Sequence, residues 1–169
     1  MLQLDVGAIK KAPGDFGPFN LSAELPPFEL RGEYLGFLGP VKASLIVSNV
    51  DSALVVEGEV SGGLKLNCGR CLEPYDYFFH VPFKETYAQA AQDSEGEVVT
   101  FSGDILDIAP EVLNSIILSL PMKALCSEDC RGLCPRCGCN LNESRCDCSD
   151  DETDPRLSVL KKLLKGTNQ

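Results

Sequence analysis

Positive charge is scarce in this 169-residue chain, where 15 Lys and Arg stand against 25 Asp and Glu for a formal net charge of −10. Non-specific nucleic-acid affinity comes from Lys and Arg displacing phosphate counterions. A general phosphate-binding surface is therefore excluded, and any RNA contact must be local. Long apolar runs are missing too. The stretch Ile116–Leu118 is broken at once by Ser119 and Pro121, and no segment approaches the roughly 20 apolar residues of a membrane-spanning helix. Residues Met1 to Gly14 hold no basic start followed by an apolar stretch of signal-peptide length. A cytoplasmic protein is expected, in a compartment where thiols stay reduced. Also absent are a phosphate-cradling glycine loop, a nucleophile elbow and a metal box with an open position. The single histidine, His80, falls on the polar side of a strand pattern and reads as solvated. An enzyme is not expected.

Cysteine, by contrast, is abundant. Nine are present, an odd number that complete intramolecular disulfide pairing cannot accommodate. Most fall between Cys126 and Cys148. Compartment, count and clustering together favour metal ligation.

The first half of the chain alternates at period 2, as half-buried strands do. Leu2, Leu4 and Val6 form one such set, followed by Phe19, Leu21, Ala23 and Leu25, and then by Val41, Ala43, Leu45 and Val47. Leu54, Val56 and Val60 continue it. Gly62-Gly63 is expected to turn the chain before Leu64, Leu66 and Cys68 resume. Tyr75, Tyr77, Phe79, Val81 and Phe83 make the longest alternating run; their spacing marks core residues rather than a base-stacking platform. Short connections favour antiparallel neighbours, and closure of the sheet into a barrel is left open. After a polar loop from Gln89 to Glu97 and a short strand over Val98 to Phe101, the period changes to 3.6. Ile105, Ile108, Ala109, Val112, Leu113, Ile116, Ile117 and Leu120 line one helical stripe. Asp107 is placed to cap this helix, Pro110 sits in its first turn, and Pro121 ends it. An acidic linker from Ser149 to Asp154 leads to a closing helix with Asp154 as N-cap and Leu157, Leu160 and Leu164 along one side.

The expected fold is α+β. An antiparallel, barrel-like or open sheet with a packed helix occupies residues 1–122, and a zinc-stapled appendage with the linker and terminal helix occupies 123–169.

Cys134-Pro135-Arg136-Cys137-Gly138 has the form of a zinc knuckle, in which Gly138 suits the positive φ of a tight turn. Cys146 and Cys148 offer two further thiolates, enough for a tetrahedral four-sulfur zinc site. Cys68-Gly69-Arg70-Cys71 is a second knuckle at a strand end, with Cys126 and Cys130 as its partners after the helix. This two-site reading uses eight cysteines and leaves Cys139 as an inert spare. The competing arrangement is a single site of Cys68, Cys71, Cys134 and Cys137, with one zinc instead of two. Four-thiolate zinc is closed and structural, since no position remains for water or substrate.

These residues resemble a known family. Cys68-Gly69-Arg70-Cys71-Leu72-Glu73-Pro74 is similar to the Cys-x-Arg-Cys-Leu-x-Pro box of the YceD family, the large ribosomal RNA subunit accumulation proteins. The cluster from Cys126 to Cys148 and the tail from Asp154 to Leu163 resemble that family's cysteine cluster and closing helix. Cys139 departs from the small or polar residue expected at its place. The resemblance implies a non-enzymatic role in accumulation of 23S ribosomal RNA or assembly of the large subunit, in bacteria or plastids. The implied partner is a subunit precursor or a ribosomal protein, with any rRNA contact local, and neither membrane nor small-molecule substrate. A thiol-redox or zinc-buffering protein is the alternative from another class.

Overall fold

The computed structural model describes residues 1–50, 53–89 and 99–148. Its largest unit is a five-stranded sheet in the order β2-β5-β6-β7-β8. These strands are β2 (Phe16–Ala23), β5 (Val41–Val50), β6 (Ala53–Asn67), β7 (Pro74–Gln89) and β8 (Val99–Phe101). All neighbours are antiparallel except β7 and β8. Two smaller pairs accompany it: β1 (Gln3–Asp5) with β9 (Ile105–Asp107), and the hairpin of β3 (Phe28–Leu30) with β4 (Glu33–Leu35). A 3₁₀ turn lies at Ile9–Lys11, and helix α1 spans Ala109–Ser119.

The period-2 pattern lands where strand sterics require. Val41, Ala43, Leu45 and Val47 on β5 are buried on the same face as Val56, Val60 and Leu64 of β6 and Phe79, Val81 and Phe83 of β7. Leu2, Leu4, Leu106, Ile108, Val112 and Ile116 complete this core. The other face is wet. There Glu57 pairs with Lys84 at 3.4 Å and Glu59 with His80 at 3.0 Å, exposed contacts of modest worth.

The sheet does not close into a barrel. Its edges, β2 and β8, do not pair with each other. The β1–β9 ribbon and α1 pack their apolar residues into the same core as the sheet.

Gly62 and Gly63 do not turn the chain either, because β6 runs through them without a break. They face Phe79 and Phe78 directly across the strand pair. A Cβ on Gly62 would lie 2.7 Å from the Phe79 ring, and one on Gly63 would lie 3.2 Å from the Phe78 ring. The glycines make room for two aromatic rings on opposite faces, a use of strand glycine distinct from turning. The expected helical stripe also starts late. Ile105–Asp107 is a strand whose Leu106 pairs with Leu4, and over three residues periods of 2 and 3.6 cannot be told apart. Asp107 does act at the helix start: its Oδ1 accepts the Ala109 N–H at 3.0 Å. Leu120 is extended, with ψ 140° before Pro121, as the clash with a following proline ring demands.

The expected loop lies outside the described residues from residue 90 to 98, as do the acidic linker from Ser149 and the closing helix. Among the described residues no helix is long and apolar enough to cross a membrane.

Candidate metal centres

The β6–β7 hairpin carries the first knuckle at its tip. The strands pair as far as Asn67 and Pro74, and the Cys68 N–H donates to the Glu73 carbonyl at 2.9 Å, closing the loop that holds Cys68 and Cys71. Two turns of like geometry follow from the two Cys-x-x-Cys sequences. The Leu72 N–H donates to the Cys68 carbonyl and the Gly138 N–H to the Cys134 carbonyl, each at 2.9 Å. The residue after each knuckle is left-handed, with φ 61° at Leu72 and φ 74° at Gly138. Gly138 adopts this conformation freely; Leu72 does so at a cost of about 1–2 kcal/mol.

The segment after α1 returns to the hairpin tip. The Gly69 N–H donates to the Ala124 carbonyl at 2.7 Å. Arg70 Nη1 donates to the carbonyls of Cys130 at 2.8 Å and Glu128 at 3.0 Å. These bonds bring Cys126 and Cys130 onto Cys68 and Cys71, and the four Sγ atoms lie within 4.8 Å of one another. Cys68, Cys71 and Cys130 are buried, with Tyr75 and Leu125 packed against them; Cys126 is exposed.

All nine cysteines are free thiols. The Cys68–Cys130 and Cys71–Cys126 sulfur separations are both 3.7 Å, against about 2.05 Å in a disulfide. Zinc–thiolate bonds of about 2.3 Å place tetrahedral ligand sulfurs about 3.8 Å apart. The residues fit such an ion.

A second group forms at the other knuckle, and it differs from the expected one. Cys134, Cys137, Cys139 and Cys146 have their sulfurs within 4.8 Å of one another. The Cys148 thiol, expected as the fourth member, interacts with those of Cys137 and Cys134. Cys139, read from the sequence as a spare, stands inside the group because Gly138 reverses the chain. The Cys134 N–H donates to the Cys139 carbonyl at 2.8 Å, and Leu133 bridges Asn140 in antiparallel register. Residues opposite one another in such a pair share a face. The one-site alternative of Cys68, Cys71, Cys134 and Cys137 matches neither group among the described residues. Cys134 is buried, Cys139 and Cys146 are half-buried, and Cys137 and Cys148 are exposed.

Thiol ionisation is uneven in both groups. Burial opposes ionisation of Cys68, yet N–H bonds from Cys71, Cys126 and Arg70 bring its pKa down to about 6. The backbone N–H groups of Cys137 and Arg136 lower Cys134 to about 6. The charge so created holds protons on the neighbours. Cys126 is pushed up to about 12, first by its contact with Cys68, and Cys139 and Cys148 to about 12, each first by Cys137. Four thiolates at such distances require a cation among them.

Asn142 went unrecognised in the sequence. Its Oδ1 accepts the Arg131 N–H at 2.8 Å, and its Nδ2 donates to Cys130 Sγ at 3.3 Å, so it links the second module to a sulfur of the first. The Asn140-Leu141-Asn142 spacing was the available signal, since Asn side chains cap local backbone.

The family model for the large ribosomal RNA subunit accumulation protein YceD matches residues 56–164, more than half of the chain. An uncharacterized protein of Mycobacterium tuberculosis is 31% identical over 125 residues, covering 71% of this chain and 60% of the relative. The uncharacterized protein YlbN of Bacillus subtilis is 33% identical over 113 residues, 65% of this chain and 66% of its own length. A maize protein named large ribosomal RNA subunit accumulation protein YCED homolog 1, chloroplastic, is 26% identical over 190 residues, 90% of this chain and 64% of the relative. The chain thus spans about 60% of the length of the mycobacterial relative it matches. No solved structure matches the chain. By its cysteine boxes and the extent of the family match, the chain belongs to the YceD family.

Proposed function

We propose that this protein is a non-enzymatic, cytoplasmic factor that supports accumulation of 23S ribosomal RNA during large-subunit assembly, held in shape by two structural zinc ions. The observation that carries the zinc reading is the pair of four-sulfur groups, each within 4.8 Å, with sulfur donors that suit zinc. Cys68, Cys71, Cys126 and Cys130 would hold one ion. The second would be held by Cys134, Cys137 and Cys146, with Cys139 or Cys148 in the fourth place. Bound there, zinc offsets half the charge of the crowded thiolates and staples the hairpin tip to the chain after α1; the catalytic option of an open ligand position is not used. Residues 1–122 serve as the body and 123–169 as the module that the zinc ions organise.

The ribosomal part of the reading is supported by family membership and by the printed name of the maize relative. The acidic balance favours a ribosomal protein or a precursor particle over bare RNA as partner. Affinity capture from growing cells at moderate salt, with large-subunit precursors profiled after depletion, tests it. Recovery of ribosomal components and a fall in mature 23S rRNA are expected. Capture without them, with rRNA unchanged, refutes the reading.

A thiol-redox or zinc-buffering role draws on one observation, the exposure of Cys137 and Cys148 at the second centre. Labelling with and without chelator separates the two. Slow, chelator-dependent labelling of eight thiols fits structural zinc, and fast labelling of one pair fits redox chemistry.

A further inference from the structure

A hydrogen bond crosses between the two sulfur groups, and its donor is a side chain outside both. Asn142 Nδ2 donates to Cys130 Sγ at 3.3 Å. Cys68 Sγ, in the same group as Cys130, takes an N–H from Arg70 at 3.5 Å, a donor inside its own knuckle. The donor to Cys130 comes instead from the neighbouring module. Asn142 lies on the loop whose two ends, Cys139 and Cys146, both belong to the second sulfur group. Two bonds fold that loop onto the chain beside Cys130. Asn142 Oδ1 accepts the Arg131 N–H at 2.8 Å, and the Leu141 N–H donates to the Gly132 carbonyl at 2.9 Å. Within the loop, Asn140 Oδ1 accepts from the backbone N–H of Asn142 at 3.1 Å and from its Nδ2 at 2.9 Å. The first group joins sulfurs that are 55 and 62 residues apart along the chain, so its closure depends on such long-range ties.

We infer that Asn142 is a positioning residue through which the ion of the second centre strengthens metal binding at the first. This rests on the metal reading above and goes beyond it in joining the two ions. An ion at the second centre pins both ends of the Asn142 loop and so holds the amide against Cys130. An N–H aimed at a metal-bound thiolate stabilises its charge and fixes its orientation. Without the second ion the loop ends are released, and ordering the donor then costs conformational entropy. Coupling between two binding sites is reciprocal, so each ion favours the other by the same factor. Loss of such a partner to a ligand weakens metal binding about 10–100-fold. Asn142 is exposed, which places the coupling at the lower end, about tenfold.

The test uses the full chain as wild type, as Asn142→Asp, as a chain lacking the second centre (Cys134→Ser, Cys137→Ser and Cys146→Ser), and as the combination. Asn142→Asp keeps an acceptor for the Arg131 N–H and removes the donor to sulfur. Each protein is loaded with cadmium and read by cadmium NMR, and zinc affinities are measured by competition with a chelator. Wild type should give two resonances, and the one that survives removal of the second centre belongs to the first. That resonance should move in Asn142→Asp, move alike when the second centre is removed, and move no further in the combination. The two zincs together should be held about tenfold less tightly in Asn142→Asp than in wild type. The single zinc of the combination should be held within about twofold of that in the chain lacking only the second centre. A first-centre resonance unmoved by Asn142→Asp, or an equal effect of Asn142→Asp with and without the second centre, overturns the inference alone. A wild type that binds fewer than two ions overturns the metal reading and this inference with it. If the chain without the second centre fails to fold, the resonance and zinc affinity of Asn142→Asp decide.

Discussion

Gly132 lies between the two sulfur groups, and its replacement by alanine separates two physical effects. Its φ is +76°, and a Cβ there would lie 2.9 Å from the carbonyl oxygen of Arg70. That oxygen accepts the Leu133 N–H at 3.1 Å, so it cannot move away without losing a bond. Gly138 has nearly the same φ, +74°, with nothing within 4 Å of the position a Cβ would take. Alanine in left-handed backbone costs about 1–2 kcal/mol, partly offset by about 0.4–1 kcal/mol from the stiffer unfolded chain. Gly138→Ala should thus lose about 0.5–1 kcal/mol. Gly132→Ala bears that cost together with a hydrogen bond worth about 0.5–1.5 kcal/mol and the displacement of backbone, for roughly 2–3 kcal/mol in all. In a chain of this length each kcal/mol moves Tm by about 2–4 °C. The expected falls are about 4–12 °C for Gly132→Ala and about 1–4 °C for Gly138→Ala, read by calorimetry on zinc-loaded protein. Equal losses would refute the reasoning, because the two positions differ only in what surrounds the added methyl.

Asn49 is buried, and its Nδ2 donates to the carbonyls of Ile9 at 2.8 Å and Ala12 at 3.1 Å; Asn49→Ala should cost about 1–3 kcal/mol, seen as a lower urea midpoint at unchanged slope. Leu72 is 65% exposed with φ 61°, so Leu72→Gly should gain about 0.5–1 kcal/mol in thermal unfolding; a loss would mean that its side chain packs. The metal-free, reduced protein should have a humped stability profile in pH. Cys68 and Cys134 are lowered from 9.0 to about 6, so their contribution is complete above pH 9 and disappears as pH falls through 6. Cys126, Cys139 and Cys148 are raised to about 12, so their contribution is present below pH 9 and is lost as pH climbs towards 12. Denaturant midpoints should peak near pH 9, and a profile flat from pH 6 to 12 would contradict these shifts.

Strand alternation was legible in the long strands with one buried face, because the side-chain period of an extended chain is 2 whatever it packs against. The runs over Val41–Val47 and Tyr75–Phe83 became β5 and β7 for that reason. The β3–β4 hairpin was not legible: its strands are three residues each, too short for a period, and its only mark is the pair Arg31 and Gly32, both at positive φ. Gly62-Gly63 was misread as a turn because the aromatic rings it accommodates stand on another strand.

At the site, the amino-acid sequence alone determined the knuckles, since Cys-x-x-Cys followed by a left-handed residue is a local turn closed by its own backbone hydrogen bond. The sequence also named the first set of four; how the chain brings those sulfurs together, and the place of Cys139 in the second, came from the folded backbone. Cys68 and Cys71 reach Cys126 and Cys130 because a hairpin tip and the chain after α1 are tied by Arg70 and Gly69. Cys139 joins its neighbours because a reversal at Gly138 turns it onto the face of Cys134. Spacing states how close two residues are along the chain. A face, and therefore a ligand set, is a property of the folded backbone.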